Sequence, residues 1–362
     1  MAAARQAYEQ GRYAEAETLL KTTLKEVDSF EPQDPRLAAS LELLITVYRA
    51  EGKPEPLESL YRRLLAFHER GLGIEDPGLA PALNGLASLY LAMRKFEEAE
   101  AAYQRVLAIR EKALGAEHPE VAASLENLGA LYAGQMKTAA GEQAYQRALT
   151  IREKAQGPEH PSVAGTLDGL AGMYRDLGKY APAEPLYQRA LAIREKALGP
   201  DHADLVPTLD NLAWIHFAQR KFLSAEALYR RSLAVWTKAV GPNHSSVAPA
   251  LDHLAAVYVA QDRFAEAEPL YQRALGIREQ AAIENLGNLA TVYAGQKKFA
   301  PAEALHRWAL YTAERSLGPD DRALIPVLSR YAEMLSAMGR GQDAATMRAR
   351  ISAIYERARQ PR

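Results

Sequence analysis

Apolar residues recur along this chain with the spacing of amphipathic helices. In the stretch HPEVAASLENLGALYAGQ, four apolar residues fall on one helical face: Val121, Leu125, Leu128 and Tyr132. The stretch KFEEAEAAYQRVLAIREKAL at 95–114 has a similar apolar stripe, which includes Phe96 and Tyr103. No segment alternates apolar and polar residues as a half-buried strand does. The pattern therefore predicts an all-α protein.

The helical segments repeat with a fixed step of 42 residues. One column holds Asp34, Asp76, His118, His160, His202 and His244. A second column holds Tyr48, Tyr90, Tyr132, Tyr174, His216 and Tyr258, and a third, 13 residues later, holds Tyr61, Tyr103, Tyr145, Tyr187, Tyr229 and Tyr271. Each period contains two helices, and a fixed period of helix pairs is typical of a solenoid.

Glycine and proline mark the boundaries of the repeats. Gly115, Gly157, Gly199 and Gly241 are predicted to end second helices in a left-handed conformation, and proline follows three of them. About nine helix pairs result. The first comprises a short helix up to Gln10 and another over Arg12–Val27, and the others begin near Pro35, Pro77, Pro119, Pro161, Ala203, Ser245, Ala281 and Asp321. The last helix is predicted over Gln342–Arg359, and the incomplete first pair suggests an earlier start of the native chain.

Small residues follow the leucine of the NLG or NLA motifs, at Ala87, Gly129, Ala171 and Ala213. Together with the tyrosine columns, they form a pattern that resembles the tetratricopeptide repeat. The 42-residue unit, and above all YQRALAIREKALGP at 187–200, is similar to the repeats of kinesin light chains. The resemblance implies a right-handed α-solenoid of about nine helix-turn-helix repeats, with residues 1–362 forming a single array.

One interval breaks the period, because Tyr258 and Tyr293 are only 35 residues apart. The segment between them lacks the GPxHPxV turn, and nothing between Arg278 and Asn285 would break a helix. Either two helices meet in an unusually tight turn, or seven residues are absent from the recorded sequence. We favour the second alternative, which predicts a chain break near Gln280–Ala281.

Composition excludes several classes of function. Lys plus Arg total 44 and Asp plus Glu total 45, so the net charge of −1 argues against a nucleic-acid or polybasic membrane module. The chain has no cysteine, no apolar run long enough to span a membrane, and no signal-peptide core in MAAARQAYEQ, which favours a cytoplasmic location. No nucleotide-binding, metalloprotease or hydrolase motif is present, so we predict a protein without catalytic activity or cofactor.

The histidines of the first column do not form a metal site. Successive repeats are displaced by about 10 Å per helix, whereas zinc ligands lie about 2 Å from the metal. We therefore expect His118, His160, His202 and His244 to cap the helices that follow them.

The candidate binding surface is the face of the first helices that lines the inside of a tetratricopeptide superhelix. One column on this face reads Leu43, Gly85, Asn127, Gly169, Asn211, His253, Asn288 and Arg330. In kinesin light chains and related arrays, asparagine at this position grips the backbone of an extended peptide. An amide suits this role because it both donates and accepts hydrogen bonds. The resemblance carries the role only to Asn127, Asn211 and Asn288.

The preceding column is acidic and reads Glu42, Asn84, Glu126, Asp168, Asp210 and Asp252. It predicts either a groove that prefers a basic partner segment or a solvated face paired with arginines. Trp214 and Phe217 replace small or polar residues of other repeats, and both are expected to point into the groove as anchors for partner side chains. The alternative for Trp214 is that it fills the space beside Gly169 or Gly172.

These observations predict a scaffold or adaptor that holds a protein or peptide ligand, with a basic segment as the preferred chemistry. The first alternative is an oligomerisation or structural module, in which the arginine-rich end contacts a neighbouring copy through Arg348, Arg350, Arg357, Arg359 and Arg362. The second alternative is the sensor part of a larger regulator.

Overall fold

The computed structural model of the chain describes residues 1–27, 34–295 and 297–357. Within these ranges all regular structure is helical and no strand occurs, as the apolar pattern predicts. The chain divides into two compact units, Met1–Ala197 and Leu198–Arg362. Each unit is a stack of helical hairpins, in which a first helix and a second helix are joined by a short turn.

Unit 1 contains five hairpins within the described residues. Its α-helices are α1 (Ala2–Glu9), α2 (Tyr13–Val27), α3 (Pro35–Ala50), α4 (Leu57–Leu72), α5 (Ala80–Ala92), α6 (Phe96–Leu114), α7 (Pro119–Gly134), α8 (Thr138–Gln156), α9 (Pro161–Asp176) and α10 (Tyr180–Leu198), the last of which ends at the first residue of unit 2. A 3₁₀ turn, η1 (Pro77–Leu79), precedes α5.

Unit 2 contains seven α-helices in its described part. They are α11 (Val206–Ala218), α12 (Phe222–Val240), α13 (Val247–Val259), α14 (Phe264–Gly295), α15 (Phe299–Leu317), α16 (Ile325–Ala337) and α17 (Gly341–Arg357). The 3₁₀ turns η2 (Ala203–Leu205) and η3 (Arg322–Leu324) precede α11 and α16. The expected end of the last helix, from 358 onward, lies outside the described residues, as do Arg359 and Arg362 of the arginine-rich end.

The histidine and aspartate column caps the first helices, as expected. The Nδ1 atoms of His118, His160 and His202 each accept a hydrogen bond from the backbone N–H two residues later, at 3.2 Å. Asp34 and Asp76 accept the same bond at 2.8 and 2.7 Å. These bonds satisfy a donor that a helix leaves unpaired at its N-terminus.

Second helices end at glycine, but in a more restricted conformation than the left-handed helical one expected from the sequence. Gly115, Gly157 and Gly241 have φ of 87°, 91° and 89°, with ψ between 153° and 159°. This region of backbone space is essentially open to glycine alone. The glycine therefore fixes the sharp change of direction between two hairpins.

The tyrosines of the third column lie between the helices. Tyr61, Tyr103, Tyr145, Tyr187 and Tyr229 are between 1% and 6% exposed. Small residues of the facing helices make room for these rings, because Ala87, Ala171 and Ala213 are fully buried. Tight interhelical packing thus explains both columns.

A three-residue contact, here called the latch, joins the second helix of one hairpin to the next hairpin. In unit 1, Glu100 of α6 accepts from Tyr132 at 3.0 Å and from Lys137 at 2.9 Å. In unit 2, Glu226 of α12 accepts from Tyr258 at 3.4 Å and from Arg263 at 2.8 Å. The same kind of contact recurs at Glu17, Glu58 and Glu303. The latch adds polar contacts between neighbouring repeats to the apolar packing.

The shortened interval folds in neither of the two ways expected from the sequence. Helix α14 runs without interruption from Phe264 to Gly295 and passes through Gln280–Ala281 with neither a turn nor a break. No glycine or proline occurs between Arg278 and Asn285, so nothing opposes helix continuation there. The second helix of one hairpin and the first helix of the next are therefore fused. With α14 counted in both, unit 2 has four hairpins in its described part.

Candidate functional site

The columns singled out in the sequence lie on the first helices of their hairpins. In unit 1 they place Asn127 on α7 and Asp168 on α9. In unit 2 they place Asp210, Asn211, Trp214 and Phe217 on α11, Asp252 and His253 on α13, and Asn288 on α14. The two units are therefore considered separately.

Arginines from the same hairpin neutralise most of the acidic column. In unit 1, Arg152 Nε donates to Glu126 Oε1 at 2.7 Å, and Arg194 pairs with Asp168. In unit 2, Arg278 pairs with Asp252. Each arginine follows its carboxylate by 26 residues, in the IRE segment of the second helix. The alternative of a face paired with arginines therefore holds at these three positions.

Asp210 is the exception. The position 26 residues later holds Trp236, which is partly buried against Val247, Leu251 and Ile277. No arginine pairs with Asp210 among the described residues, and its buried Oδ1 atom makes no hydrogen bond of good geometry there. Burial raises the pKa of Asp210, and the nearby Ser232 hydroxyl and His253 lower it less than burial raises it. A partly buried carboxylate without a cation is costly to the folded state, which makes Asp210 a candidate functional residue.

Aromatic and polar groups surround Asp210 within unit 2. The Tyr229 and His253 rings lie 5.2 Å apart between centroids, at an interplanar angle of 38°. Burial, and next the Asp210 charge, raise the pKa of Tyr229, so this phenol stays protonated and able to donate. His253 is exposed at the surface of α13. These groups form one cluster, here called the Asp210 cluster: Asp210, Tyr229, Ser232 and His253.

Trp214 and Phe217 differ in their surroundings. Trp214 follows Asp210 by one helical turn and is 41% exposed. Phe217 is partly buried, and its ring lies 5.8 Å from that of Phe222, in the turn of its own hairpin. The expectation that Phe217 points into a groove is therefore corrected, because its ring packs against the hairpin core. Trp214 is the more exposed of the two and remains a candidate anchor.

The asparagine column already has partners in the structure. The Asn127 amide donates to Asn84 at 3.5 Å, and Asn288 accepts from Arg330 at 3.1 Å. Two departures from asparagine have a steric cause, because a Cβ at Gly85 or Gly169 would lie 2.4 or 2.6 Å from a tyrosine ring. Nothing in these contacts joins the three asparagines into one continuous clamp.

Unit 1 has a cleft of about 600 Å³ between α3, α4 and α5. Its lining includes Tyr48, Tyr61, Asn84 and Gly85, so it lies on the column of the candidate surface. It contains none of the residues predicted to bind a ligand. The Asp210 cluster, by contrast, contains two of them, Asp210 and His253, and two more, Asn211 and Trp214, lie near Asp210 on α11.

Trp236 has a signal in the sequence that lies outside the acidic and asparagine columns. The segment AVWTK at 234–238 interrupts a series that reads AIREK in α6 and α10. A tryptophan where other repeats have arginine removes the counter-ion of Asp210. The significance of a 26-residue spacing, however, depends on the geometry of the hairpin.

Two further features concern metals and membranes. The described residues contain no group of three histidine, aspartate or glutamate side chains that could hold a metal ion. In the same part of the chain, no helix combines the length and the apolar character needed to cross a bilayer.

Comparison with known proteins agrees with this architecture. A family model described as a tetratricopeptide repeat matches residues 36–112, 78–154, 120–196, 162–235 and 215–280, and a second model of the same description matches 286–323. The chain therefore belongs to the tetratricopeptide repeat family. No protein in a search of curated sequences matches it.

Solved structures of similar proteins include bacterial and fungal repeat proteins. BtubC (BKLC) from P. vanneervenii is 24% identical, with a TM-score of 0.52, over 67% of this chain and 90% of that one. A tetratricopeptide repeat protein from Parabacteroides merdae is 21% identical, with a TM-score of 0.52, over 76% and 90%. A putative kinesin light chain from Podospora anserina is 27% identical, with a TM-score of 0.48, over 54% and 92%. The first two likenesses show the shared fold.

Proposed function

We propose that the chain is a protein-binding scaffold whose unit 2 holds a partner segment at the Asp210 cluster and Trp214. The observation that carries this proposal is the carboxylate of Asp210, which lacks the arginine found at Asp168 and Asp252. An arginine or lysine side chain of a partner would supply the missing charge. Trp214, one turn away, would contact an apolar or cationic neighbour in the same segment.

Protein binding is typical of tetratricopeptide repeats, and the finer claim concerns the chemistry of the ligand. Asn211 lies beside Asp210 on α11, and its amide is suited to the backbone of an extended segment. His253 and Tyr229 border the carboxylate from the neighbouring helices. We therefore propose a ligand with a basic side chain next to an apolar one.

The test is a selection from a random peptide library with the full chain. We expect the wild-type protein to enrich peptides with arginine or lysine, and Asp210→Asn to lose this enrichment and bind the selected peptides at least tenfold more weakly, which corresponds to about 1.4 kcal/mol. Trp214→Ala should weaken binding to about the same extent or more. Asp252→Asn is the matched control, because Arg278 already neutralises Asp252, and it should keep the basic preference.

Stability measurements separate a binding role from a structural one. At neutral pH the raised pKa of Asp210 reflects a desolvation cost of the charged form in the folded state, which a neutral asparagine removes. Asp210→Asn should therefore unfold at the same denaturant concentration as the wild type or a higher one, while its peptide binding falls. Selected peptides without basic residues, or an unchanged preference in Asp210→Asn, would contradict the proposal.

A further inference from the structure

The fused helix α14 exposes apolar residues whose counterparts are buried or partly buried in the other repeats. Tyr271 is 41% exposed and Leu275 is 55% exposed, whereas Tyr229, the counterpart of Tyr271 in the preceding repeat, is 4% exposed. Leu289, further along the same helix, is 44% exposed, whereas its counterpart Leu254 is 3% exposed. In other hairpins of this chain, the second helix packs against the first helix of the next hairpin through these columns. At α14 both sides of that contact are open.

The cause is the missing turn. Between α12 and α13, residues 241–247 (GPNHSSV) reverse the chain, and the corresponding seven residues are lacking after Ala282. Without them, the segment 281–295 continues the direction of 264–278 and cannot fold back onto it. The apolar residues of an ordinary contact remain, but their partner within the same chain is out of reach.

The polar residues of the latch are also retained at this position. Glu268, Tyr293 and Lys298 correspond to Glu226, Tyr258 and Arg263, which form the latch between α12 and α13.

In the described structure Glu268 forms no hydrogen bond or ion pair with Tyr293 or Lys298. Glu268 accepts a hydrogen bond from Gln272 at 3.0 Å, and Lys298 lies 5.9 Å from the centre of the Tyr293 ring. The sequence therefore keeps complementary charges for a contact that its own chain does not make.

A column of arginines that bind the turns between hairpins changes at the hairpin that follows the shortened interval. Arg189, Arg231 and Arg273 each donate to the carbonyl of the proline in the preceding turn, at distances from 2.8 to 3.1 Å. The corresponding residue of α15 is Trp308, which is 59% exposed. Where the turn is lacking, the arginine that would bind it is replaced. The deletion and the substitution occur together, as expected for a feature that belongs to the protein.

We propose that a second copy of this chain completes the contact. Two α14 helices would lie antiparallel around a two-fold axis near Gln280, with residues 264–278 of one copy against 281–295 of the other. Consecutive helices in these stacks run antiparallel. Residues 281–295 of one copy would therefore occupy the position of the first helix that residues 264–278 of the other copy lack. Such an interface is isologous, and shortening a connection is a recognised route to exchange between protomers.

In this arrangement Tyr271 and Leu275 of one copy cover Leu289 of the other, and the reverse contact forms on the opposite side of the axis. Glu268 of each copy meets Tyr293 and Lys298 of its partner. The interface thus repeats an ordinary contact of the chain twice. It does not depend on ligand binding at the Asp210 cluster.

Sedimentation velocity and light scattering over a hundredfold range of micromolar concentrations test the proposal. The wild type should show twice the chain mass at the upper end of the range. Leu275→Glu and Leu289→Glu should each raise the dissociation constant at least a hundredfold. The control Leu223→Glu changes a leucine of α12 that is 78% exposed and lies outside the interface, and it should remain dimeric. A monomeric wild type would overturn the proposal, as would dimers that persist in both glutamate variants.

Two further variants make the test specific to this arrangement. Insertion of Gly-Pro-Asn-His-Ser-Ser-Val between Ala282 and Ile283 restores the turn, and it should give a folded monomer. Glu268→Lys and Lys298→Glu should each dimerise poorly alone, because like charges then face each other. A mixture of the two should form heterodimers, detected by pull-down of an untagged variant with a tagged one. A dimeric insertion variant, or no heterodimer, would contradict the antiparallel α14 interface.

Discussion

Gly169→Ala is expected to destabilise unit 1 by about 2–3 kcal/mol. A Cβ at Gly169 would lie 2.6 Å from Cε1 of Tyr145. The ring cannot simply move away, because a Cβ position at Gly129, on its other edge, is already only 2.8 Å from Cδ2 and Cε2. Tyr145 is therefore held between two glycines. This residue is only 6% exposed, and its burial raises the pKa of Tyr145 to about 12. Asparagine at 169 would be costlier still.

Urea unfolding followed by circular dichroism measures this loss, and Gly172→Ala is the matched control on the same helix. A Cβ at Gly172 would meet only the Tyr187 hydroxyl, at an ordinary 3.5 Å, so alanine should be neutral or slightly stabilising. The three tryptophans, Trp214, Trp236 and Trp308, all lie in unit 2, so their fluorescence reports that unit separately. Equal stabilities of the two alanine variants would refute the steric explanation for glycine in this column.

The second large effect is expected for Glu226→Ala, which should lower the unfolding free energy of unit 2 by about 2–3 kcal/mol. The Glu226 side chain is only 7% exposed and forms ion pairs with Arg230 at 2.7 Å and Arg263 at 2.8 Å. It also accepts from Tyr258. Alanine would remove the carboxylate that pairs with both guanidinium groups and leave the buried Tyr258 phenol without its acceptor, although Arg263 would keep Glu266 and Arg230 would keep the Tyr258 oxygen. Tryptophan fluorescence in urea provides the measurement.

Glu268→Ala is the control, because Glu268 occupies the same column but makes no latch within its own chain. At protein concentrations low enough to keep the chain monomeric, its loss should cost no more than about 0.5 kcal/mol, as for other surface substitutions. A similar loss in both variants would show that the latch contributes nothing particular to the junction between α12 and α13.

The fold was predictable because each repeat contains its own helix caps, turn glycines and buried tyrosines. The capping His118 and His160, the turn glycines Gly115 and Gly157, and the buried tyrosines recur at 42-residue steps, and the structure uses each of them in the same way. Local chemistry decides these features, so a sequence suffices to predict them. The prediction of helix pairs is confirmed on this basis, except at Ala281, where α14 continues through the predicted boundary.

The candidate site was less accessible to sequence reasoning, because its charges depend on contacts between helices. The partnership of Asp168 with Arg194 becomes visible only when a hairpin brings residues 26 positions apart together. The exceptional position of Asp210 follows from that partnership, since it is defined by the arginine that Trp236 replaces. Phe217 was misjudged for a related reason, because an aromatic residue near a hairpin turn has a core neighbour within reach, here Phe222.

The shortened interval shows a different limit. The absence of glycine and proline between Arg278 and Asn285 was evident, but it was interpreted through the expectation that every repeat must turn. Intrinsic helix propensity decides the outcome instead. A repeat pattern can thus predict the turns correctly in the other repeats and still predict the wrong structure where the residues of one turn are lacking.

Helix α14 also has a mechanical consequence for unit 2. At 1.5 Å per residue its 32 residues span about 48 Å, without the flexible corner that separates neighbouring helices elsewhere in the stack. Solenoids adjust their curvature by small rotations between repeats, but α14 has no such joint between the two hairpins that share it, and its proline, Pro269, lies near its N-terminal end. Helix α14 therefore holds the two hairpins that share it at a fixed distance. A ligand that contacts both hairpins would have to match this distance.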